Sequence, residues 1–145
     1  MLLKPKKTKF TKAQKGRISY TYRSAKLDPT VYSIVALEPS RITASHLYAS
    51  ELAMKRKIRM GGVKSKNALN IKIFPHIPVT KKPIEVRMGK GKGKVDHWMT
   101  RVKTGSLLFT LNLDNPLLVH SVWRLADAKL PIKTKLIAPT QIKSD

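Results

Sequence analysis

The sequence contains no cysteine, and its apolar stretches are short. Without thiols the chain can form neither a disulfide framework nor a thiolate metal site. No stretch reaches the roughly 18 apolar residues that a membrane-spanning helix requires, which excludes such a helix. The start, MLLKPKKTKF, is charged from Lys4 onward, and it resembles neither a secretory signal nor an amphipathic transit peptide. We therefore expect no targeting segment at this start.

Acidic residues are also scarce. Eight Asp and Glu stand against 30 Lys and Arg, which gives a net charge of +22 in 145 residues. The length favours one domain with a real core. Because a folded body of this charge repels itself, it should be most stable against a dense polyanion. Nucleic acid is the expected partner, and an anionic membrane surface is the weaker alternative.

The sequence also lacks any group of residues that is typical of a catalytic or metal-binding site. The acids are scattered singly, and Glu51 and Glu85 are interpreted as counter-charges to nearby cations. Asp96 and His97 are neighbours in a predicted strand, so their side chains should point to opposite faces. We expect no enzyme activity, no cofactor and no metal site, because no ligand spacing relates the four histidines, which are His46, His76, His97 and His120.

The first basic segment is residues 1–22, which we expect to form an extended arm in front of a domain at residues 23–145. Residues 1–17 hold no acid, so this segment cannot collapse by itself. A disordered solubilising tail is the alternative to an arm that enters RNA. The candidate binding residues here are Lys4, Lys6, Lys7, Lys9, Lys12, Lys15 and Arg17.

The second basic segment is VRMGKGKGK, residues 86–94. Glycine allows positive φ and close approach of the backbone to a ligand, and successive N–H groups can form a nest for an anion. The G-x-G-x-G spacing between predicted strands matches neither the P-loop nor the dinucleotide-binding pattern. A flexible hairpin loop solvated by its own charges is the alternative to a phosphate-binding loop. The candidate residues are Arg87, Met88, Gly89, Lys90, Gly91, Lys92, Gly93 and Lys94.

The periodicity of apolar residues predicts two helices over a mixed, mostly antiparallel sheet, which is an α+β domain. Thr43 is the expected N-cap of a helix through about Ile58, with Ala44, Leu47, Met54 and Ile58 facing the core. A second helix should start at Pro116 and end before Pro131; its helical spacing is carried by Leu117, Leu118, Ser121, Leu125 and Ala128.

Six short segments are predicted to be strands. They lie at residues 31–37, 69–74, 84–88, 95–102, 107–113 and 132–137, with a turn at residues 103–105. Residues 75–83 contain three prolines, and we expect a stiff connector there, since proline cannot donate a ladder hydrogen bond.

Cations and aromatic residues add further candidates. Lys55, Arg56, Lys57 and Arg59 crowd the last turn of the first helix, which exceeds what the helix dipole needs and indicates an anion contact. Trp98 and Trp123 lie in apolar patterns, so we expect them to pack in the core; stacking on bases is the alternative. The candidates for stacking beside the arm are Tyr20, Tyr22 and Tyr32.

Four stretches together resemble one family. MLLKPKKTKFTKAQKGR resembles the opening of the bacterial-type large-subunit ribosomal protein L sixteen, which is grouped with the archaeal and eukaryotic L ten e proteins. FPHIPVTKKPIEVRMGKGKGKVDHWMTRVKTG (74–105) and AKLPIKTKLI (128–137) resemble further segments of that family, and RITASHLYASELAM (41–54) does so more loosely. The resemblance fails at residues 18–40, where this chain lacks the family's glycine-rich stretch.

The resemblance implies a structural constituent of the large ribosomal subunit that performs no chemistry. The domain at 23–145 would bind large-subunit rRNA, and the loop at 86–94 would lie near tRNA acceptor ends at the peptidyl-transferase region. Neighbouring large-subunit proteins are implied partners, without membrane insertion or a homo-oligomer. The alternative is a histone-like DNA-binding nucleoid protein. The remaining expected rRNA-binding residues are Arg41, Lys55, Arg56, Arg59, Lys81 and Lys82.

The expected location is the mitochondrial ribosome in the matrix, with the bacterial cytoplasm or a plastid as alternatives. Lysines number 22 against eight arginines, a bias that A+T-rich coding produces. That bias, the divergence at residues 18–40 and a start aligned with the bacterial start favour a mitochondrial member of the family.

Overall fold

Seven strands and two helices follow one another along residues 3–65 and 67–139, the part of the chain that the computed structural model describes. The first two residues of the expected arm and residues 140–145 of the expected domain lie outside it. The predicted α+β class with two helices is confirmed. In chain order the elements are β1 Tyr32–Ala36, β2 Ser40–Thr43, α1 Ala44–Met60, β3 Leu69–Ile71, β4 Ile77–Lys81, β5 Lys94–Val102, β6 Leu107–Leu111, α2 Pro116–Asp127 and β7 Thr134–Ile137.

The strands form two sheets instead of the single sheet that we expected. One sheet has the order β3-β6-β1-β7 and the other β2-β5-β4, and each strand pair is antiparallel. The chain passes directly from one sheet to the other after β1, after β3 and after β5. The connection after β5 contains the predicted turn at residues 103–105, where Gly105 has a φ of +80°.

Helix α1 is placed as its caps predict. The Thr43 hydroxyl accepts the N–H of His46 at 3.3 Å, and Gly61 N–H donates to Lys57 O at 3.0 Å where the helix ends. The four predicted core residues Ala44, Leu47, Met54 and Ile58 are all buried. They face a core shared with the four-stranded sheet, in which Ile34 and Phe109 are fully buried.

Helix α2 runs from Pro116 to Asp127, so it begins and ends as predicted. The Asn115 side chain caps it by accepting the N–H of Leu117 at 3.0 Å. Its buried residues are Val119, Val122 and Ala126, which pack in the same core as α1, whereas Leu117 is 81% exposed. The residues whose spacing predicted the helix are therefore not the ones that it buries most deeply.

Two strand predictions between residues 75 and 88 are also wrong. The expected connector contains β4, in which Pro78 pairs with Trp98 of β5. Proline is tolerated there because β4 is an edge strand, where a missing N–H leaves no partner unsatisfied. The expected strand at 84–88 is an irregular segment with Ile84 97% exposed, since nothing covers its apolar side chains. The predicted strand at 69–74 forms only as far as Ile71.

Candidate nucleic-acid interface

The glycine-lysine segment belongs to a long hairpin loop, residues 82–93, between β4 and β5. Gly89, Lys90 and Gly91 are consecutive residues with positive φ, at +96°, +53° and +79°. A Cβ atom at Gly89 or Gly91 would meet nothing within 4 Å. Glycine is favoured at these two positions by the backbone conformation, which side chains disfavour, and the surrounding space is open to a ligand.

Gly93 has a different role in the same loop. A Cβ atom there would lie 2.6 Å from the carbonyl oxygen of Lys81, closer than packed atoms approach. Gly93 precedes the pair Lys81–Lys94 at the base of the hairpin, next to a break in register between Val79 and Thr80. The absent side chain therefore lets the two strands meet at the base of the basic loop.

Several loop and arm cations are bound to backbone carbonyl groups. Lys12 Nζ donates to Lys92 O, and Lys92 Nζ donates to Ala13 O, both at 2.7 Å. We call this reciprocal pair of hydrogen bonds the arm–loop clasp. Lys82 Nζ donates to Gly89 O at 2.5 Å and so bridges the loop. Arg87 and Lys90 of the loop are exposed, and so is Lys94, the first residue of β5.

Neither the described part of the arm, residues 3–22, nor the segment 23–31 that follows it contains a helix or strand, and the seven candidate cations of the arm are exposed. The end of the arm and the residue after it are attached to the rest of the domain. Arg41 Nη2 donates to Gly16 O at 2.7 Å, and Arg23 N–H donates to Thr104 O at 2.8 Å. A Cβ atom at Gly16 would collide with the guanidinium of Arg101, so the arm lies directly on that side chain.

The cations of α1 have one counter-charge. Glu51 is buried and binds Lys55 at 2.7 Å, which confirms Glu51 as a counter-charge. Burial by itself raises the pKa of the Glu51 carboxyl, but hydrogen bonding and attraction to positive groups, Lys55 foremost, lower it below its ordinary value. The Glu51 carboxylate thus partly neutralises the charge of Lys55. Arg56 and Arg59 lie on the same helix and are exposed. Glu85 is exposed and forms no ion pair among the described residues, so its predicted role is wrong.

The aromatic candidates divide by burial. Tyr20 and Tyr22 are 84% and 71% exposed and are free to stack. Tyr32 is half-buried against the core, which leaves it poorly placed for the stacking that we predicted. Trp123 packs on the same core and donates to Thr134 Oγ1 at 2.9 Å, as its apolar pattern indicated. Trp98 is half-buried in β5.

One prediction about side-chain direction is wrong. His97 Nδ1 lies 2.8 Å from the Asp96 carboxylate, although adjacent strand residues start on opposite faces. The β4–β5 register shifts at this point: His97 pairs with Val79 and Val95 pairs with Thr80, so Asp96 is an extra residue that interrupts the alternation of faces. Within residues 3–65 and 67–139, no three His, Cys, Asp or Glu side chains are grouped as metal ligands, and neither helix is long and apolar enough to cross a membrane.

The binding residues predicted from the sequence omit four basic or titratable residues that the fold brings together. Arg23, His76, Arg101 and Lys103 line a depression beside the arm, together with Arg17. Arg101 lies directly opposite Arg41 in the β2–β5 pair. The sequence showed only that these residues are basic or titratable, and their proximity depends on chain pairing that the sequence does not reveal.

The fold and its surface define a class of protein: a highly basic α+β domain with exposed cations, a glycine-rich loop and exposed tyrosines. The sequence model of the family described as "Ribosomal protein L16p/L10e" matches residues 5–137. The chain belongs to this family, which confirms the resemblance noted above. Since this is a family of ribosomal proteins, the prediction that the chain is not an enzyme is also confirmed.

Curated relatives match nearly the whole chain. The chain is 42% identical over 143 residues to "Large ribosomal subunit protein uL16" of Borreliella burgdorferi strain ZS7, covering 98% of this chain and 100% of the relative. It is 45% identical over 138 residues to the protein of the same description from Erythrobacter litoralis, covering 94% and 92%. The corresponding protein of Borrelia garinii subsp. bavariensis is 43% identical over 143 residues, covering 98% and 100%.

Proposed function

We propose that this protein is a structural constituent of the large ribosomal subunit, in which it binds rRNA and supports tRNA accommodation near the peptidyl-transferase region. The observation that carries the proposal is the loop at residues 82–93 in a member of this ribosomal family. It combines consecutive residues of positive φ with exposed cations, above a hairpin base that closes because Gly93 has no side chain. That combination suits closely spaced phosphates.

The loop would act through its backbone and its side chains together. The open space around Gly89 and Gly91 lets a phosphate approach the main chain. Arg87 can bind a phosphate with two parallel hydrogen bonds, whereas Lys90 and Lys94 contribute less directional attraction. Lys92 takes part through the arm–loop clasp, so in this conformation it connects the arm to the loop.

The wider rRNA surface would include the arm and the basic end of α1. RNA helices present a shallow minor groove and 2′-hydroxyls, so recognition is mainly of backbone and shape. Among the expected residues, Arg56, Arg59 and Lys81 are exposed. Arg41, Lys55 and Lys82 already make hydrogen bonds within the protein, and we propose that they orient the surface as well as bind to it.

The proposed partners are large-subunit rRNA, tRNA acceptor ends and neighbouring large-subunit proteins, and the protein does not form a homo-oligomer. We place it in the mitochondrial ribosome, with the bacterial cytoplasm or a plastid as alternatives. The supporting observation is the bias of 22 lysines against eight arginines.

Sedimentation tests the proposal directly. Cells of the source are separated into organelles and cytosol, each lysate is run on sucrose gradients in low and in high salt, and this chain is detected by mass spectrometry. We expect it to co-sediment with the large ribosomal subunit of the organelle and to resist a moderate salt wash. Recovery with chromosomal DNA, with membranes or at the top of the gradient would contradict the ribosomal role.

A further inference from the structure

Two arginines face each other across the β2–β5 pair, and neither forms an ion pair within residues 3–65 and 67–139. Arg41 is the direct partner of Arg101 in that antiparallel register. Like charges in this position destabilise a strand pair. Arg41 donates to Gly16 O at 2.7 Å, and Arg101 Nη1 lies 3.5 Å from Arg17 O. Both groups thus meet neutral carbonyl oxygens of the arm, which bind the guanidinium groups without cancelling their charge.

Arg101 also lines a depression of about 410 Å³, which we call the arm pocket. Arg17, Arg23 and Lys103 line the same depression, and no Asp or Glu among the described residues does so. Four cations held around one small volume repel one another, and an anion inside it would remove that repulsion.

The arm pocket is held by backbone contacts and not by side chains alone. Arg23 N–H donates to Thr104 O at 2.8 Å, and Gly105 is so close to Arg23 O that a Cβ atom there would collide with it. The cations from the arm and those from β5 and the turn after it are therefore brought together by a defined attachment of the chain.

We propose that the arm pocket, bounded by Arg17, Arg23, Arg101 and Lys103, binds a backbone phosphate of RNA, and that this phosphate completes the attachment of the arm to the domain. The inference rests on the proposed RNA-binding function and names a second phosphate site, separate from the loop at 82–93. Planar guanidinium groups can bind phosphate oxygens in a bidentate manner, which suits the three arginines.

The test uses the full chain and a transcript of large-subunit rRNA, with affinity measured over a series of salt concentrations. Arg23→Ala and Arg101→Ala should each weaken binding and reduce the steepness of the log–log salt dependence by about 1, as expected for a lost phosphate contact. The double variant should lose less than the sum of the single losses, because both side chains contact one phosphate. Arg124→Ala, an exposed arginine of α2, is the matched control.

Thermal melting of each variant separates lost binding from lost folding. If Arg101→Ala does not fold, Arg101→Lys keeps the charge without the planar fork and should show an intermediate loss of affinity. Additive losses with a salt dependence equal to that of Arg124→Ala would overturn the phosphate site while leaving the RNA-binding function intact. Failure of the unaltered protein to bind rRNA more tightly than duplex DNA of equal length would instead contradict the proposed function.

Discussion

Gly91 and Gly93 lie two residues apart, yet a side chain is disfavoured at each for a different reason: backbone conformation at Gly91 and lack of space at Gly93. Gly93→Ala brings a Cβ atom against the backbone carbonyl of Lys81 and should destabilise the protein by about 3 kcal/mol, at the upper end of the range for overpacking. Gly91→Ala meets open space and should cost about 1 kcal/mol, from its positive φ alone. Thermal melting distinguishes them, since each 1 kcal/mol shifts Tm by about 2–4 °C in a chain of this size. Equal shifts would contradict separate roles.

The same residues show how far the sequence leads at this scale. The glycine-lysine repeat predicted a phosphate-binding loop, because the backbone freedom of glycine and the charge of lysine do not depend on distant parts of the fold. It did not reveal that Gly93 lets the two strands meet at the base of the hairpin. That role depends on the close approach of Lys81, which lies in β4, a strand that the sequence presents as a connector. Lys92 was likewise predicted as a phosphate ligand, although its ammonium group reaches the arm.

Elements with local signals were predictable, and those defined by distant partners were not. The cap at Thr43 and the proline at 116 placed both helices, because capping is satisfied within a few residues. Strand β4 was missed because proline excludes a central strand but not an edge strand, and the sequence does not state which strand lies at an edge. The buried face of α2 depended in the same way on its contact with α1.

The arm–loop clasp provides a test at the level of elements. Lys12→Met removes one of its two hydrogen bonds and loosens the other, so the loop should become more mobile while the fold is unchanged. We expect lower heteronuclear NOE values at the amides of Gly89, Gly91 and Gly93 in NMR spectra. Lys6→Met, which alters an exposed lysine of the same arm, is the control and should leave these values unchanged. Identical spectra for the two variants at these glycines would show that the arm does not order the loop.

At the scale of the whole molecule, charge was the most reliable guide. A net charge of +22 predicted a polyanionic partner before any element was assigned. The loop and the arm were found as clusters in sequence, since their cations are contiguous. The arm pocket was not, because its residues come from the arm, from β5 and from the turn that follows it, and only the folded chain brings them together.

That charge makes a quantitative prediction about rRNA binding. If the full chain neutralises about ten phosphates, log affinity should fall with log salt at a slope of roughly −7 to −9. Deleting residues 1–15 removes six lysines and should make the slope shallower by about 4–5, if each contacts one phosphate. Tm should stay nearly constant, because the described contacts of this segment to the domain are the exposed bonds of the clasp. A full-chain slope near −2 would exclude extended phosphate contact, and a large loss of Tm on deletion would assign the arm to the folded core.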